Sequence, residues 1–173
     1  MVHHHLPHFD TITHYQFITF RTNDSTDAFL HKLSVQNQPN NKKQLQADCH
    51  LDTSYLGAYL NDDVLLYLCE FIKSKNRELY QLIAFVIIPN HVHLLIKPLK
   101  SLPVLMHSIK GASAKSINEI IGRSGPFWAA EYYDKAIRDE KHFNIVYNYI
   151  KNNLLKLNEE ESILRFYGIY EIE

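Results

Sequence analysis

The sequence predicts an α+β domain in which strands and helices follow one another in the order β-α-β-β-α-β. Two observations predict it: strand-like and helix-like stretches alternate in that order, and two apolar runs separated only by Pro89-Asn90 must pair as an antiparallel hairpin. The arrangement is ferredoxin-like, an antiparallel sheet covered on one face by helices, with an additional C-terminal helix folding back beside the central strand. At 173 residues the chain has room for one well-formed core, so a single domain over 1–173 is expected.

The elements follow in order. Residues His14 to Arg21 are rich in aromatic and β-branched side chains and read as a strand, closed by the turn-prone Asn23-Asp24-Ser25. Beyond it the pattern weakens. A short helix around Ala28 to Leu33 runs into the polar stretch 36–43, so 34–59 is expected to be a loop-rich insertion with no chemistry assigned to it. Asn61 then caps a clear helix, with Asp62 and Asp63 in its first turn and Val64, Tyr67, Leu68, Phe71 and Ile72 on one face. The hairpin strands are Leu79 to Ile88 and Val92 to Lys97. Ser101 begins the next helix, which tolerates Pro103 in its first turn, buries Leu102, Leu105, Met106, Ile109, Ile117, Ile120 and Ile121, and stops at Gly122. Phe127 to Ile137 reads as a strand entered through an irregular segment. A last helix starts at Asp139 and runs to about Leu157, with Phe143, Val146, Ile150, Leu154 and Leu157 inward.

Composition limits the function. Apolar residues are 46% of the chain, and no stretch approaches the roughly eighteen consecutive apolar positions of a membrane span. The N-terminus, Met1-Val-His-His-His-Leu-Pro-His8, lacks the apolar core of a secretory signal, and 1–13 is expected to be a flexible end. Cys49 and Cys69 stand alone, which indicates neither a zinc knuckle nor a disulfide framework and fits the cytoplasm. Net charge is −1, so a polyanion must be met by a local patch rather than by an overall basic chain. One such patch spans Lys97 to Arg123, where Lys97, Lys100, Lys110, Lys115 and Arg123 face only Glu119; a solvated lysine face is the plainer reading.

The chemistry begins at Pro89-Asn-His-Val-His93. Strand side chains alternate, so His91 and His93 project to one side while Val92, Leu94 and Ile96 fill the other. Two imidazoles on one face can chelate a divalent metal; the bland alternative is a pair of hydrogen-bonded strand histidines. On the last helix, Tyr149 and Asn153 are four residues apart and share a face. If that face meets the histidines, Asn153 can complete a three-ligand site and Tyr149 can lie beside a group bound to the metal. Such an arrangement suits phosphodiester cleavage, in which a divalent ion neutralises developing charge while a phenol attacks phosphorus. Two histidines and an amide suit Mn²⁺ and tolerate Mg²⁺. Tyr132, Tyr133 and Tyr147 are the rival phenols.

The stretch Ile88 to Ile96 resembles the HUH motif of the IS200-like (Y1) transposases, in particular the branch associated with repetitive extragenic palindromes. His107 to Asn118, Gly125 to Asp134, Ile137 to Asp139 and Tyr149 to Asn153 match the same family in the same order. The resemblance spans roughly Tyr15 to Leu157 and implies a metal-dependent endonuclease and strand transferase acting on single-stranded DNA at hairpin-marked, palindromic sites through a 5′-phosphotyrosine link. By position, His91 and His93 match the metal ligands, Tyr149 the catalytic nucleophile and Asn153 the polar residue one turn beyond it. Lys110, Lys115 and Asn118 match the helix after the hairpin, read here with Arg123 as DNA-binding. Trp128 either stacks on an unpaired base or belongs to the core. In two-chain relatives the tyrosine helix comes from the partner, so a homodimer is left open. The proline expected after the final Asn is Leu154 here, which lets the helix run on, and 158–173 is read as a divergent acidic tail. The competing readings are a non-catalytic DNA-hairpin-binding protein and an unrelated metal-dependent hydrolase of small phosphodiesters.

Overall fold

The computed structural model describes residues 14–157 and 159–170; the expected flexible segment 1–13, with its histidines, lies outside the described residues. Strands β1 (Gln16–Arg21), β2 (Tyr80–Ile88), β3 (His91–Pro98), β4 (Tyr133–Ala136) and β5 (Phe166–Gly168) form one sheet in the order β4-β1-β3-β2-β5. Every pairing is antiparallel, and β2 and β3 form the predicted hairpin over Pro89-Asn90, with Ile88 opposite His91. The fold is therefore α+β, as predicted, with a five-stranded antiparallel sheet.

Period-two alternation divides the core into two layers. Ile18, Phe20, Phe85, Ile87, Val92, Leu94 and Ile96 belong to one apolar cluster, together with side chains from α3 (Asp62–Ser74) and α4 (Leu102–Ile121). Phe17, Ala84, Val86 and Leu95 belong to the other, closed by Val146, Tyr147 and Ile150 of α5 (Glu140–Asn152). Helices thus cover both faces: α3 and α4 lie on one, and the additional C-terminal helix α5 brings its apolar stripe to the other. Among the described residues no helix is long and apolar enough to cross a membrane.

Three local expectations need correction. Segment 34–59 is not loop-rich: after α1 (Ala28–Ser34) it holds a 14-residue helix, α2 (Asn40–Thr53). Its only buried apolar residues are Ala47 and Leu51, which pack on Leu30 and Leu33 as a small cluster apart from the main core. An apolar stripe that narrow leaves no periodicity to read. Helix α5 ends at Asn152 and tightens into a 3₁₀ turn over Asn153–Lys156, so it does not run on to Leu157 as an α-helix. The stretch after it forms α6 (Glu159–Arg165) and the edge strand β5.

Arg165 anchors that tail. It is fully buried; its Nη1 donates to Leu60 O and Ile87 O, and its Nη2 donates to Asn61 Oδ1 at 2.6 Å. Asn61 occupies the expected start of α3, yet its side chain makes no cap hydrogen bond and serves Arg165 instead. Replacing Arg165 by Met leaves these acceptors unpaired in the core. The expected cost is about 3 kcal/mol, measured by urea unfolding of R165M against the parent protein.

Candidate metal centre and active site

His91 and His93 sit at the hairpin end of β3, and the strand's alternation turns both rings away from α3 and α4, as predicted. Both are 0% exposed, with ring centroids 4.9 Å apart. Their Nδ1 atoms are held: His91 Nδ1 lies 2.8 Å from Asn90 Oδ1, and His93 Nδ1 lies 2.7 Å from Thr19 Oγ1 on β1. Asn90 is itself fixed, since its Nδ2 donates to Leu51 O and Ser54 O. Its Oδ1 must then accept from His91 Nδ1–H, which leaves the lone pair of that ring on Nε2.

Neither Nε2 has a hydrogen-bond partner, although both are buried. Burial, reinforced at His91 by the neighbouring His93, pushes both imidazoles down to about 3, so each is neutral at pH 7. Two buried, neutral, unpartnered imidazole nitrogens aimed at one space form an incomplete donor set.

Asp48 of α2 supplies the third donor. Ligand atoms of Asp48, His91 and His93 lie within 4.8 Å of one another, with Asp48 Oδ2 4.0 Å from His93 Nε2. Asp48 is 3% exposed; its Oδ1 accepts from Gln44 Nε2 at 2.6 Å, and burial raises its pKa. Asp52, one turn further along α2, brings an unpartnered Oδ1 to 3.8 Å from His91 Nε2, while its Oδ2 accepts from Lys156 Nζ.

Tyr149 closes the group from α5. Its ring meets His93 edge-on at 5.3 Å and Phe17 at 5.9 Å, and its hydroxyl donates to Asp48 Oδ2 at 2.7 Å. Burial first, and then the Asp48 carboxylate, raises the phenol's pKa far above its ordinary value. The expected meeting of phenol and imidazoles thus occurs within one chain. Of the rival phenols, Tyr147 faces away and donates to Tyr170 O, and Tyr132 lies beside Lys110. Tyr133 packs against Phe17, and burial pushes its phenol up to about 12.

Asn153 is not brought into the donor cluster. Its Nδ2 donates back to Tyr149 O and its Oδ1 accepts from Lys156 Nζ, because the chain tightens into the 3₁₀ turn at that residue. The third donor beside the imidazoles is a carboxylate from α2 rather than an amide from α5.

The expected DNA-contacting residues separate just as clearly. Trp128 is buried, donates from Nε1 to Ser113 Oγ and packs edge-on against Phe20, so it is a core residue rather than a stacking platform. Arg123 makes a two-pronged ion pair with Asp24, Lys110 clasps Ala129 O and Ala130 O, and Asn118 Nδ2 donates to Gly125 O. These three side chains brace the loop after α4. Lys115 alone of the five is exposed without such a role.

Asp48, Asp52, Thr19, Asn90 and Lys156 went unread. The one available signal is the four-residue spacing of Gln44, Asp48 and Asp52, which puts three polar side chains on a single helical face beside the Ala47–Leu51 pair. That signal requires α2 to be recognised as a helix first.

Comparison with known proteins supplies context for this geometry. Residues 41–153 match the family described as "Transposase IS200 like", a span running from α2 through Asn153. Nothing among curated proteins matches the chain. Two solved structures have related chain paths. One is a REP-associated tyrosine transposase bound to a REP hairpin, at 18% identity and TM-score 0.46 over 83% of this chain and 67% of that one. The other is a candidate transposase from Deinococcus radiodurans R1, at 18% identity and TM-score 0.47 over 80% of this chain and 89% of that one.

Proposed function

The chain belongs to the IS200-like transposase family, and from that premise we propose that it cleaves and rejoins single-stranded DNA at hairpin-marked sites, with Tyr149 as nucleophile. The observation carrying the proposal is the convergence of the Tyr149 hydroxyl, two unpartnered imidazole nitrogens and a carboxylate in one buried cluster. On this reading the domain is a ferredoxin-like β-α-β-β-α-β unit with the α1–α2 pair inserted after β1 and β5 appended at the opposite edge.

His91, His93 and Asp48 are the residues that would hold a divalent ion, Mn²⁺ or Mg²⁺; two buried neutral nitrogens and one oxygen suit the former better. When bound, such an ion supplies positive charge for the non-bridging oxygens of a phosphodiester. Thr19 and Asn90 keep both rings oriented with Nε2 outward. Replacing Thr19 by Val removes the partner of His93 Nδ1 and is expected to weaken Mn²⁺ binding about 10- to 100-fold, measured by calorimetry on the DNA-free protein.

Tyr149 Oη attacks phosphorus and gives up its proton to water; in the structure that hydroxyl donates to Asp48 Oδ2. The bond to the 3′ oxygen breaks, and that oxygen takes up a proton to become a free 3′ hydroxyl. The other product stays on the protein as a 5′-phosphotyrosine, which conserves the phosphodiester energy for rejoining without a nucleotide cofactor. Lys156, whose Nζ lies 5.7 Å from the Tyr149 ring centroid, adds a cation beside the reacting group.

The test is incubation with a 5′-labelled and a 3′-labelled hairpin-bearing single strand, with Mn²⁺ or with EDTA. The proposal requires metal-dependent nicking in which the 3′ fragment becomes protein-linked and the 5′ fragment is released with a free 3′ hydroxyl. Tight hairpin binding without nicking would instead establish the non-catalytic alternative.

A further inference from the structure

A phosphodiester must touch the metal centre, yet His91, His93 and Asp48 are 0%, 0% and 3% exposed. On the side opposite α3 and α4 the imidazoles are covered by Asp48 of α2 together with Tyr149 of α5. Two cavities of about 270 and 300 Å³ approach from either side. The first is lined by Thr19, Arg21, Gln44 and Tyr133, the second by Asp52, Asn90 and Lys156, and Leu51 of α2 lines both. Helix α2 is the wall between them, with the metal centre beneath it.

Of its 14 residues α2 buries only Ala47, Asp48 and Leu51. The α1–α2 pair carries its own small core of Leu30, Leu33, Ala47 and Leu51, and is stitched internally by the Asp27–His50 pair at 2.6 Å and by Lys43 Nζ donating to Ser34 O. To the rest of the molecule it is tied mainly by polar groups at the site itself: Asp48 to Tyr149, Asp52 to Lys156, and Leu51 O and Ser54 O to Asn90. The chain is pinned again on either side, where Ser25 Oγ donates to Thr22 O and Thr22 Oγ1 donates to Gly57 O. Gly57, at φ +66°, leaves no room for a Cβ, which would lie 2.2 Å from Thr22 Oγ1. These bonds bracket residues 26–56, whose apolar cluster is separate from the two main cores.

We infer that Asp48 is a displaceable ligand: α2 caps the metal centre in the resting state, and the incoming single strand lifts the α1–α2 pair and takes the coordination position that Asp48 leaves. The inference rests on the transposase reading and adds to it how the substrate gains entry. The same movement frees the Tyr149 hydroxyl from Asp48 and joins the two cavities into one channel across the site. Bound metal and bound DNA then act in opposite directions on α2, the first fastening it and the second releasing it.

Hydrogen exchange on the full chain, in the non-cleaving Tyr149→Phe variant, tests this directly. Mn²⁺ alone should slow amide exchange across 44–52 at least tenfold. A hairpin-bearing single-stranded oligonucleotide added to the Mn²⁺ form, with binding followed by fluorescence anisotropy, should return exchange to within about twofold of the metal-free rate. Combining Tyr149→Phe with Asp48→Asn should abolish the metal-induced slowing while calorimetry still detects weakened Mn²⁺ binding at His91 and His93. Retained protection of 44–52 with metal and DNA both bound, or undiminished metal protection with Asp48→Asn, would overturn the inference and leave the nuclease reading standing. Absence of any Mn²⁺ binding, or of DNA binding, would overturn the nuclease reading and this inference with it.

Discussion

Replacing Tyr149 by Phe is expected to abolish the covalent protein–DNA adduct and to lower strand cleavage at least about 10³-fold, the scale seen when an attacking group is deleted outright. The substitution removes one oxygen and keeps the ring that meets His93 and Phe17. Folding should therefore survive, and Mn²⁺ affinity should change less than about tenfold, because the phenol is not a ligand. Affinity for an uncut hairpin strand should be kept or rise, since the hydrogen bond from Tyr149 to Asp48 is one of the ties holding α2 down. Separating chemistry from binding in this way is what identifies a nucleophile. The companion variant Tyr147→Phe should cleave normally, because Tyr147 faces Tyr170. Its cost should fall on stability instead, where the docking of the C-terminal strand is weakened.

The second large effect concerns the histidines. His93→Gln is expected to reduce Mn²⁺ affinity at least about 100-fold and to take metal-dependent cleavage with it, since it removes a donor outright rather than an outer partner. His91→Gln should behave alike. Glutamine keeps a polar group of similar length, so the DNA-free fold should persist, and thermal unfolding in EDTA should differ little from the parent. Thermal unfolding in Mn²⁺ is then the telling comparison. The parent should gain stability as metal is added, because ligand binding to the native state stabilises it, whereas both variants should not. Equal stabilisation of parent and variants would place the ion elsewhere.

The hairpin and the face of its histidines were legible because they depend on strand alternation alone: Val92, Leu94 and Ile96 are buried in one layer, which sends His91 and His93 to the other. Tyr149 was legible for a similar reason, since Val146 and Ile150 fix the inner face of α5 and leave Tyr149 at its edge. The third donor of the cluster was not. Asp48 lies on a helix whose only buried apolar residues are Ala47 and Leu51, so neither the helix nor its face announces itself. Asp48 reaches His91 and His93 from 43 and 45 positions away in the chain, and such contacts follow from packing rather than from local pattern. Asn153 shows the converse. Its register with Tyr149 was read correctly, but a short amide at a helix end finds its nearest partner in its own backbone, and Asn153 Nδ2 donates to Tyr149 O.

Residues read as DNA-contacting turn out to have partners within the chain. Lys110, Asn118 and Arg123 were read from charge and position, and each has a nearby carbonyl or carboxylate that a linear sequence does not display. Trp128 likewise found a hydrogen-bond partner in Ser113, fifteen residues away on α4. Of the five, Lys115 is the one whose side chain is exposed.

The most direct measurement is mass spectrometry of the protein after reaction with a hairpin-bearing single strand and Mn²⁺, followed by nuclease and protease digestion. The account predicts a nucleotide-phosphate adduct on the peptide containing Tyr149, linked through the phenolic oxygen to a 5′ phosphate and absent when EDTA replaces the metal. An adduct on Tyr132, Tyr133 or Tyr147, or efficient metal-dependent cleavage with no protein adduct, would contradict it.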